Sequence, residues 1–202
     1  MAYRRTPPIQ ARIDAQRTAI VDAAAAVLAE AGYAGCTVSA VAAHAGVATG
    51  TVYNHFASKV DLVAEVFRSI VTHEVDVVRA AAASGSAAES ATAVLETFAR
   101  RALKSPRRAY VLLAEPVDPA IDALRLEFRR AFRDIITEAI SRGVATGELP
   151  PQNASVVAAA LVGALGEALV GPLATGADDA DTIPTLIEFT LRAIGGRADA
   201  DA

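Results

Sequence analysis

Thr37 to Lys59 reads TVSAVAAHAGVATGTVYNHFASK. It holds two short helical segments, one over about 38–44 with Thr37 as its N-cap, the other near 49–55. Ala45-Gly46-Val47 joins them. Gly46 supplies the left-handed backbone that a tight interhelical turn requires, and Val47 plugs the angle between the helices. Val38, Val41 and Ala42 face inward from the first helix, while Val52 and Phe56 anchor the second. That leaves Thr49, Gly50, Thr51, Tyr53, Asn54 and His55 facing outward, with Lys59 at the next helix start. Two short helices joined by a glycine turn form helix-turn-helix geometry, in which the second helix enters the DNA major groove. Hydroxyls, an amide, an imidazole and an ammonium suit phosphates and base edges, and no catalytic arrangement stands among them.

The chain around this stretch reads as all-α, with about nine helices. Alanine, the best helix former, dominates runs such as DAAAAVLAEAG and VVAAALVGALGEALVG, and valine-rich alternating stretches are missing. A first helix over roughly 12–31 follows Pro7-Pro8 and ends at Gly32-Tyr33 and Gly35. Ser58 and Asp61 form an S-x-x-D pair opening a long helix at about 59–83, which stops at Ser84-Gly85-Ser86. Helices near 87–104 and 106–114 follow, and Asp118-Pro119 is a strong start signal for a long one. In that helix Ile121, Leu124, Phe128, Phe132, Ile135 and Ala139 make the core stripe. Arg125, Arg129 and Arg133 recur every four residues beside acidic partners; the row reads as a solvated face of ion pairs, with an anion-binding ridge as the alternative. Two more helices, near 152–171 and 181–194, precede a polar tail expected to be disordered.

GVATG occurs a second time, as Gly143–Gly147. It is no repeat of the motif: there Gly143 is expected to weaken a last helical turn, Gly147 to take a left-handed stop, and Pro150-Pro151 to prevent continuation.

Composition narrows the function classes. The longest uncharged apolar run, Val156 to Gly166, is eleven residues and stops at Glu167, short of the ~20 a membrane-spanning helix needs. The N-terminus has no apolar core or cleavage site of a secretory signal, and the single cysteine, Cys36, can form no intrachain disulfide. A soluble cytoplasmic protein is the expectation. Net charge is −4, yet residues 1–60 carry five basic and three acidic side chains against fourteen and twenty in the remainder. A mildly basic end on an acidic body permits polyanion binding at that end. For an enzyme the inventory is thin: His44 and His55 lie in the motif, leaving His73, and H-E-x-x-H, G-x-S-x-G, a glycine-rich phosphate loop and paired cysteines are all missing. Glu115 and Glu167 could form a carboxylate pair, or hydrogen-bond a ligand or neighbouring side chain. No cofactor or metal is expected.

The pattern T-V-x-x-V-A-x-x-A-G-V-x-x-G-T-V-Y-x-H-F-x-S-K resembles the DNA-binding domain of the TetR/AcrR family of bacterial transcriptional regulators, and IVDAAAAVLAEAGYAGCTV resembles that family's first helix. The resemblance is close over about 60 residues and architectural beyond them. It implies a DNA-binding domain at 1–58, an effector-binding and dimerisation bundle at 59–195 and a tail at 196–202. It implies that Thr37 contacts phosphate, that Thr49, Gly50, Thr51 and Asn54 face base edges or nearby backbone, and that Tyr53, His55 and Lys59 hold phosphates; Arg5 of the basic arm joins this set. The family's usual serine cap is replaced by Ala48, so Thr49 is expected to take over capping.

For the bundle, the resemblance implies a small-molecule pocket. Its candidates are Phe67, Ile70, Val71, Leu95, Phe98, Tyr110, Leu113, Phe128 and Phe132, with Glu115, His73 and Glu167 as polar anchors. An apolar lining favours a hydrophobic or amphipathic effector, while the acidic residues leave room for a cationic one. The last two helices are expected to form a homodimer interface through Leu161, Leu165, Leu169 and Leu173, with Ile183, Leu186, Ile187 and Ile194 as partner stripe. The function implied is a repressor that binds a palindromic DNA operator and is released by its effector. The rivals are a helical enzyme or ligand-sequestering protein, and an architectural DNA-binding protein; the large bundle speaks against the last.

Overall fold

The computed structural model describes residues 7–176 and 180–195, so Arg5 and the tail at 196–202 lie outside the described residues. Among these, nine α-helices and no strand occur: α1 Pro7–Gly35, α2 Val38–His44, α3 Thr49–His55, α4 Lys59–Ala81, α5 Ala87–Lys104, α6 Pro106–Leu113, α7 Pro119–Thr146, α8 Ala154–Thr175 and α9 Thr182–Ile194. The start of α1 is earlier than the sequence suggests, because prolines at the first turn have no N–H to lose from the helical ladder. Its end is a kink at Gly32 (φ 70°, ψ −175°) rather than a stop.

Caps account for most boundaries. Thr37 accepts from Ala40 N, Ser58 from Asp61 N, Asp118 from Ala120 N and Asn153 from Val156 N. Ser86 and Glu89 form a full reciprocal capping box at α5. Asp61 does not reach back to the backbone of Ser58; its Oδ2 accepts from the Ser58 hydroxyl at 2.8 Å.

Two apolar cores share α4. The first gathers α1 (Ile20, Leu28), α2 (Val41), α3 (Val52), the start of α4 (Leu62, Val63, Phe67) and parts of α6 and α7 (Val111, Ile121). The second begins further along α4 at Val78 and unites α5, α7, α8 and α9 around Val94, Ile136, Leu161, Leu169 and Ile194. A single 23-residue helix therefore crosses from one core to the other, with Glu74 as a buried carboxylate between them.

The two GVATG segments differ as expected at Gly46 and Gly147, which are left-handed at φ 66° and 79°. Gly143 has another role than weakening a turn. A Cβ there would stand 2.5 Å from the Ala87 Cβ and 2.8 Å from Leu149 Cδ1, so glycine allows α5 to close on α7. Gly143→Ala is accordingly expected to destabilise the fold by about 1–3 kcal/mol, read as a lowered urea midpoint with an unchanged slope.

The leucines assigned to a dimer interface are corrected. Leu161, Leu165, Leu169, Leu173 and Leu186 are all buried in the protomer's own second core, together with Ile194. A stripe every fourth residue on an alanine-rich helix marks the larger side chains, and within one protomer the larger side chains fill the core. Ile187 and Ile183 are half-buried. The opposite face of α8 is exposed and made of small apolar residues, including Val156, Ala159, Ala160, Gly163, Ala168 and Gly171. By length and composition α8 would suffice to cross a bilayer, since its 22 residues carry Glu167 as their single charge; here its leucine face packs within the bundle.

Candidate nucleic-acid interface and effector cavity

In the helix-turn-helix, Val47 N bonds Ala42 O at 3.0 Å across the Gly46 turn, which fixes α3 against α2. Val52 and Phe56 are buried beneath α3. Its outer face presents Thr49, Gly50, Tyr53 and Asn54 to solvent, with Thr51 and His55 half-buried at its edges. Tyr53 is 54% exposed and makes no hydrogen bond within the chain among the described residues. Thr49 does not take over the cap: Ala48 is the N-cap with no side-chain bond, and the Thr49 hydroxyl stays on the surface. Thr37 is exposed; its oxygen accepts from Ala40 N at 3.1 Å, leaving its O–H to donate outward.

Two expected phosphate holders also serve the fold. His55 Nε2 lies 3.1 Å from Gln16 Oε1 of α1. The Lys59 ammonium donates to Tyr33 O at 2.6 Å and sits 4.2 Å from the Tyr33 ring centroid, tying the start of α4 to the end of α1. Its remaining N–H groups can still reach a phosphate. Beside them Arg17 covers the Phe56 ring at 4.9 Å and pairs with Glu65 at 3.0 Å. Cys36 is buried behind this surface, and burial raises its thiol pKa against the pull of Lys59, so it stays protonated and unreactive at neutral pH.

The second site is a cavity in the bundle. It is a largely apolar cleft, open to solvent on one side. Val71, Phe98, Leu113, Phe128 and Phe132 line it as anticipated. Other candidates do not. Phe67 is fully buried in the first core and Ile70 packs against that core. Leu95 is buried in the second core and Tyr110 packs on it. His73 is exposed on α4 and Glu167 on α8. Glu115 points the other way, accepting from Tyr33 N at 3.2 Å, and no hydrogen bond joins it to Glu167 as a carboxylate pair.

Charged residues complete the wall: Glu74 from α4, Arg101 from α5, Arg108 from α6, and Arg125 and Arg129 from α7. Glu74 is held bidentately by Arg101, at 2.5 and 2.9 Å, with Arg108 at 3.9 Å. Arg125 is the correction to the solvated arginine face. It is buried and donates to the carbonyls of Leu112 (3.0 Å), Val111 (2.6 Å) and Glu115, with Asp122 at 3.1 Å. Burial lowers its pKa, Asp122 opposes that shift, and the neighbouring Arg129 charge adds to it. Of the row, Arg129 is exposed as a solvated face requires, and Arg133 is half-buried and meets its chain neighbour Asp134 at 3.5 Å.

Arg125 therefore connects the two sites. It lines the cavity and fastens the C-terminal carbonyls of α6, and Glu115 just beyond that end bonds the backbone of Tyr33. Gly32 makes this approach possible: a Cβ there would lie 2.5 Å from an Arg107 guanidinium nitrogen and 2.6 Å from Glu115 Oε1.

An exposed polar recognition helix, joined through α4 and α6 to a bundle with a partly open apolar cavity, defines a helix-turn-helix DNA-binding regulator with a chamber for a small molecule. The sequence model of the bacterial regulatory proteins, tetR family, matches residues 20–66, the end of α1 through the first third of α4. A curated relative, the HTH-type transcriptional repressor KstR2 of Rhodococcus jostii (strain RHA1), is 28% identical over 136 residues, spanning 65% of this chain and 67% of that one. The fold is also that of FadR from Bacillus subtilis, solved in complex with stearoyl-CoA (TM-score 0.76, 20% identity, 90% of this chain and 99% of that chain). A TetR transcription regulator from Haloarcula marismortui matches similarly (TM-score 0.78, 19% identity, 90% and 97%). Residues 20–66 thus match the DNA-binding segment of the tetR family of bacterial regulatory proteins, and the chain as a whole shares the fold of TetR transcription regulators.

Proposed function

We propose that the chain is a cytoplasmic repressor, without enzymatic activity, that binds a two-fold symmetric operator as a homodimer and is released by a small amphipathic molecule. One observation carries this reading: the cavity wall and the helix-turn-helix are built on the same α4, and Arg125 and Glu115 link them again through α6. A ligand that fits better with α4 and α6 displaced shifts the recognition helices and lowers operator affinity, by no more than its differential affinity for the two arrangements. The name of KstR2 as a repressor and the acyl-CoA held by FadR are consistent with both halves of the reading.

DNA contact is assigned to Thr37, Thr49, Gly50, Thr51, Tyr53 and Asn54, with His55, Lys59 and Arg5 at its margin. The unit 1–58 is its carrier and 59–195 the effector and dimer part. The test is a gel shift on DNA flanking the chain's own gene, without and with candidate compounds. Absence of any retardation at low salt sinks the reading.

The dimer is assigned to the small-residue face of α8 rather than its leucine face. Val156 is 61% exposed there, and Phe189 of α9 is 45% exposed. Nothing lies within 4 Å of a Cβ placed on Gly163 or Gly171, so a partner helix can approach closely. Gly163→Arg is expected to leave the protomer folded and to give a monomer by sedimentation velocity, with operator affinity reduced by about 100-fold or more from loss of the second half-site.

A further inference from the structure

The cavity has two unlike ends. Helices α5 and α7 run antiparallel: Gly143 faces Ala87, Arg142 donates to Ser90 Oγ at 3.0 Å, and Phe98 meets Phe132 edge-on at 4.9 Å between ring centroids. Val94, Phe98, Phe132 and Ile136 therefore form one end. A helical turn beyond, in the opposite senses of the two helices, stand Arg101 and Arg129, joined by Arg108 from α6. Four arginines and one carboxylate line the whole cavity. Asp122 balances Arg125 and Glu74 balances Arg101, but Arg108 has only the long contact to the same Glu74. Arg129 has no carboxylate within ion-pair distance among the described residues, and its charge acts unfavourably on Arg125. An apolar chamber with two under-compensated cations at its solvent-facing end attracts an oxyanion there, through charge-assisted hydrogen bonds from the guanidinium groups.

On the reading of this cavity as the effector site, we propose that its ligand is an amphipathic anion, a carboxylate or phosphate head on an apolar body, whose head group binds at Arg101, Arg108 and Arg129 in competition with Glu74. Glu74 is the chain's own occupant of the guanidinium fork that such a head would take. It belongs to α4, and Arg101 to α5, so an incoming head that captures Arg101 loosens the part-buried, bidentate ion pair that ties the DNA-linked helix to α5. Neutral and cationic molecules of the same length fill the apolar end but leave the cations uncompensated. The excess of acidic residues over the chain as a whole thus says nothing about this chamber, where the balance is reversed.

The test is calorimetric titration of the full chain, without DNA, with decanoate, decyl phosphate, decanol and decyltrimethylammonium, each below its micellar concentration. Decanoate or decyl phosphate should bind at least about tenfold more tightly than decanol, with decyltrimethylammonium weakest. Equal affinities, a reversed order or no binding of either anion overturns the proposal. Arg129→Gln alters an exposed, unpaired side chain; thermal melting checks its fold. It should weaken the anions about tenfold and leave decanol unchanged. Glu74→Gln, similar in shape and without the charge, should tighten the anions; no change or weakening removes Glu74 as the competitor. Gel shifts of the ligand-free protein test the regulator reading separately, so the two can fail independently.

Discussion

Gly50→Glu is expected to abolish operator binding while the protein melts at the same or a higher temperature. Gly50 lies in the first turn of α3, on its solvent face, with helical backbone and nothing within 4 Å of an added Cβ. Replacing glycine in an exposed helical position gains up to ~1 kcal/mol of helix propensity, and a carboxylate in a first turn, where α3 has no acidic residue, adds ~0.3–1 kcal/mol. Against DNA the same carboxylate meets phosphates and base edges at the point of closest approach. Like-charge juxtaposition costs several kcal/mol, so affinity should fall by roughly 100-fold or more. Fluorescence anisotropy with a labelled operator and a thermal melt on the same sample read both effects. A variant that keeps operator affinity would move the interface off α3; one that loses it by unfolding would make Gly50 a structural residue.

What was legible in the sequence follows the kind of interaction involved. The helices and their order rest on local signals: Thr37, Ser58 and Asp118 are caps whose geometry is set within three residues, and the structure has them as such, with Ser86, read only as part of a stop, capping α5 as well. The helix-turn-helix is equally local, since Gly46, Val47 and Val52 need only each other to fix its angle. Misreadings arose where chain segments distant in sequence meet. Glu115 stands in apolar sequence, which points to the cavity, yet the kink at Gly32, 83 residues earlier, draws it to Tyr33. The leucines of α8 share one face, but no pattern says whether a partner helix from the same protomer or another one covers it. The cavity's charges did leave a trace. Glu74 continues the α4 register of Phe67, Val71 and Val78, and Arg101 that of Val94 and Phe98 on α5. A charged residue standing in an apolar stripe, once on each of two helices and with opposite sign, is the signature of a buried pair.

Arg125→Met should be among the most damaging single changes outside the cores, whereas replacing the exposed Arg129 or half-buried Arg133 should cost the fold little. The side chain is buried and its guanidinium serves the carbonyls of Val111, Leu112 and Glu115, which close α6 and have no following helical turn to bond. Methionine fills the aliphatic volume but leaves those acceptors without their donors. Hydrogen bonds to charged groups are each worth ~1.5–3 kcal/mol and buried acceptors lose solvent as well, so a loss of about 3–5 kcal/mol is expected. For a chain of this size that is a fall of about 6–20 °C in Tm. Arg125→Lys should recover little, because one ammonium cannot span three carbonyls in a planar fork. Both Asp122 and burial act on a group that remains protonated, so the defect should be the same at pH 6 and pH 8. The second consequence separates this site from an ordinary core residue. With α6 unfastened, Glu115 no longer carries displacements of the cavity wall to Tyr33, and in conditions where the variant is folded its operator affinity should respond less to effector than that of the parent. A gel shift across an effector titration measures it. An unchanged response in a destabilised Arg125→Met would confine communication between the two sites to α4.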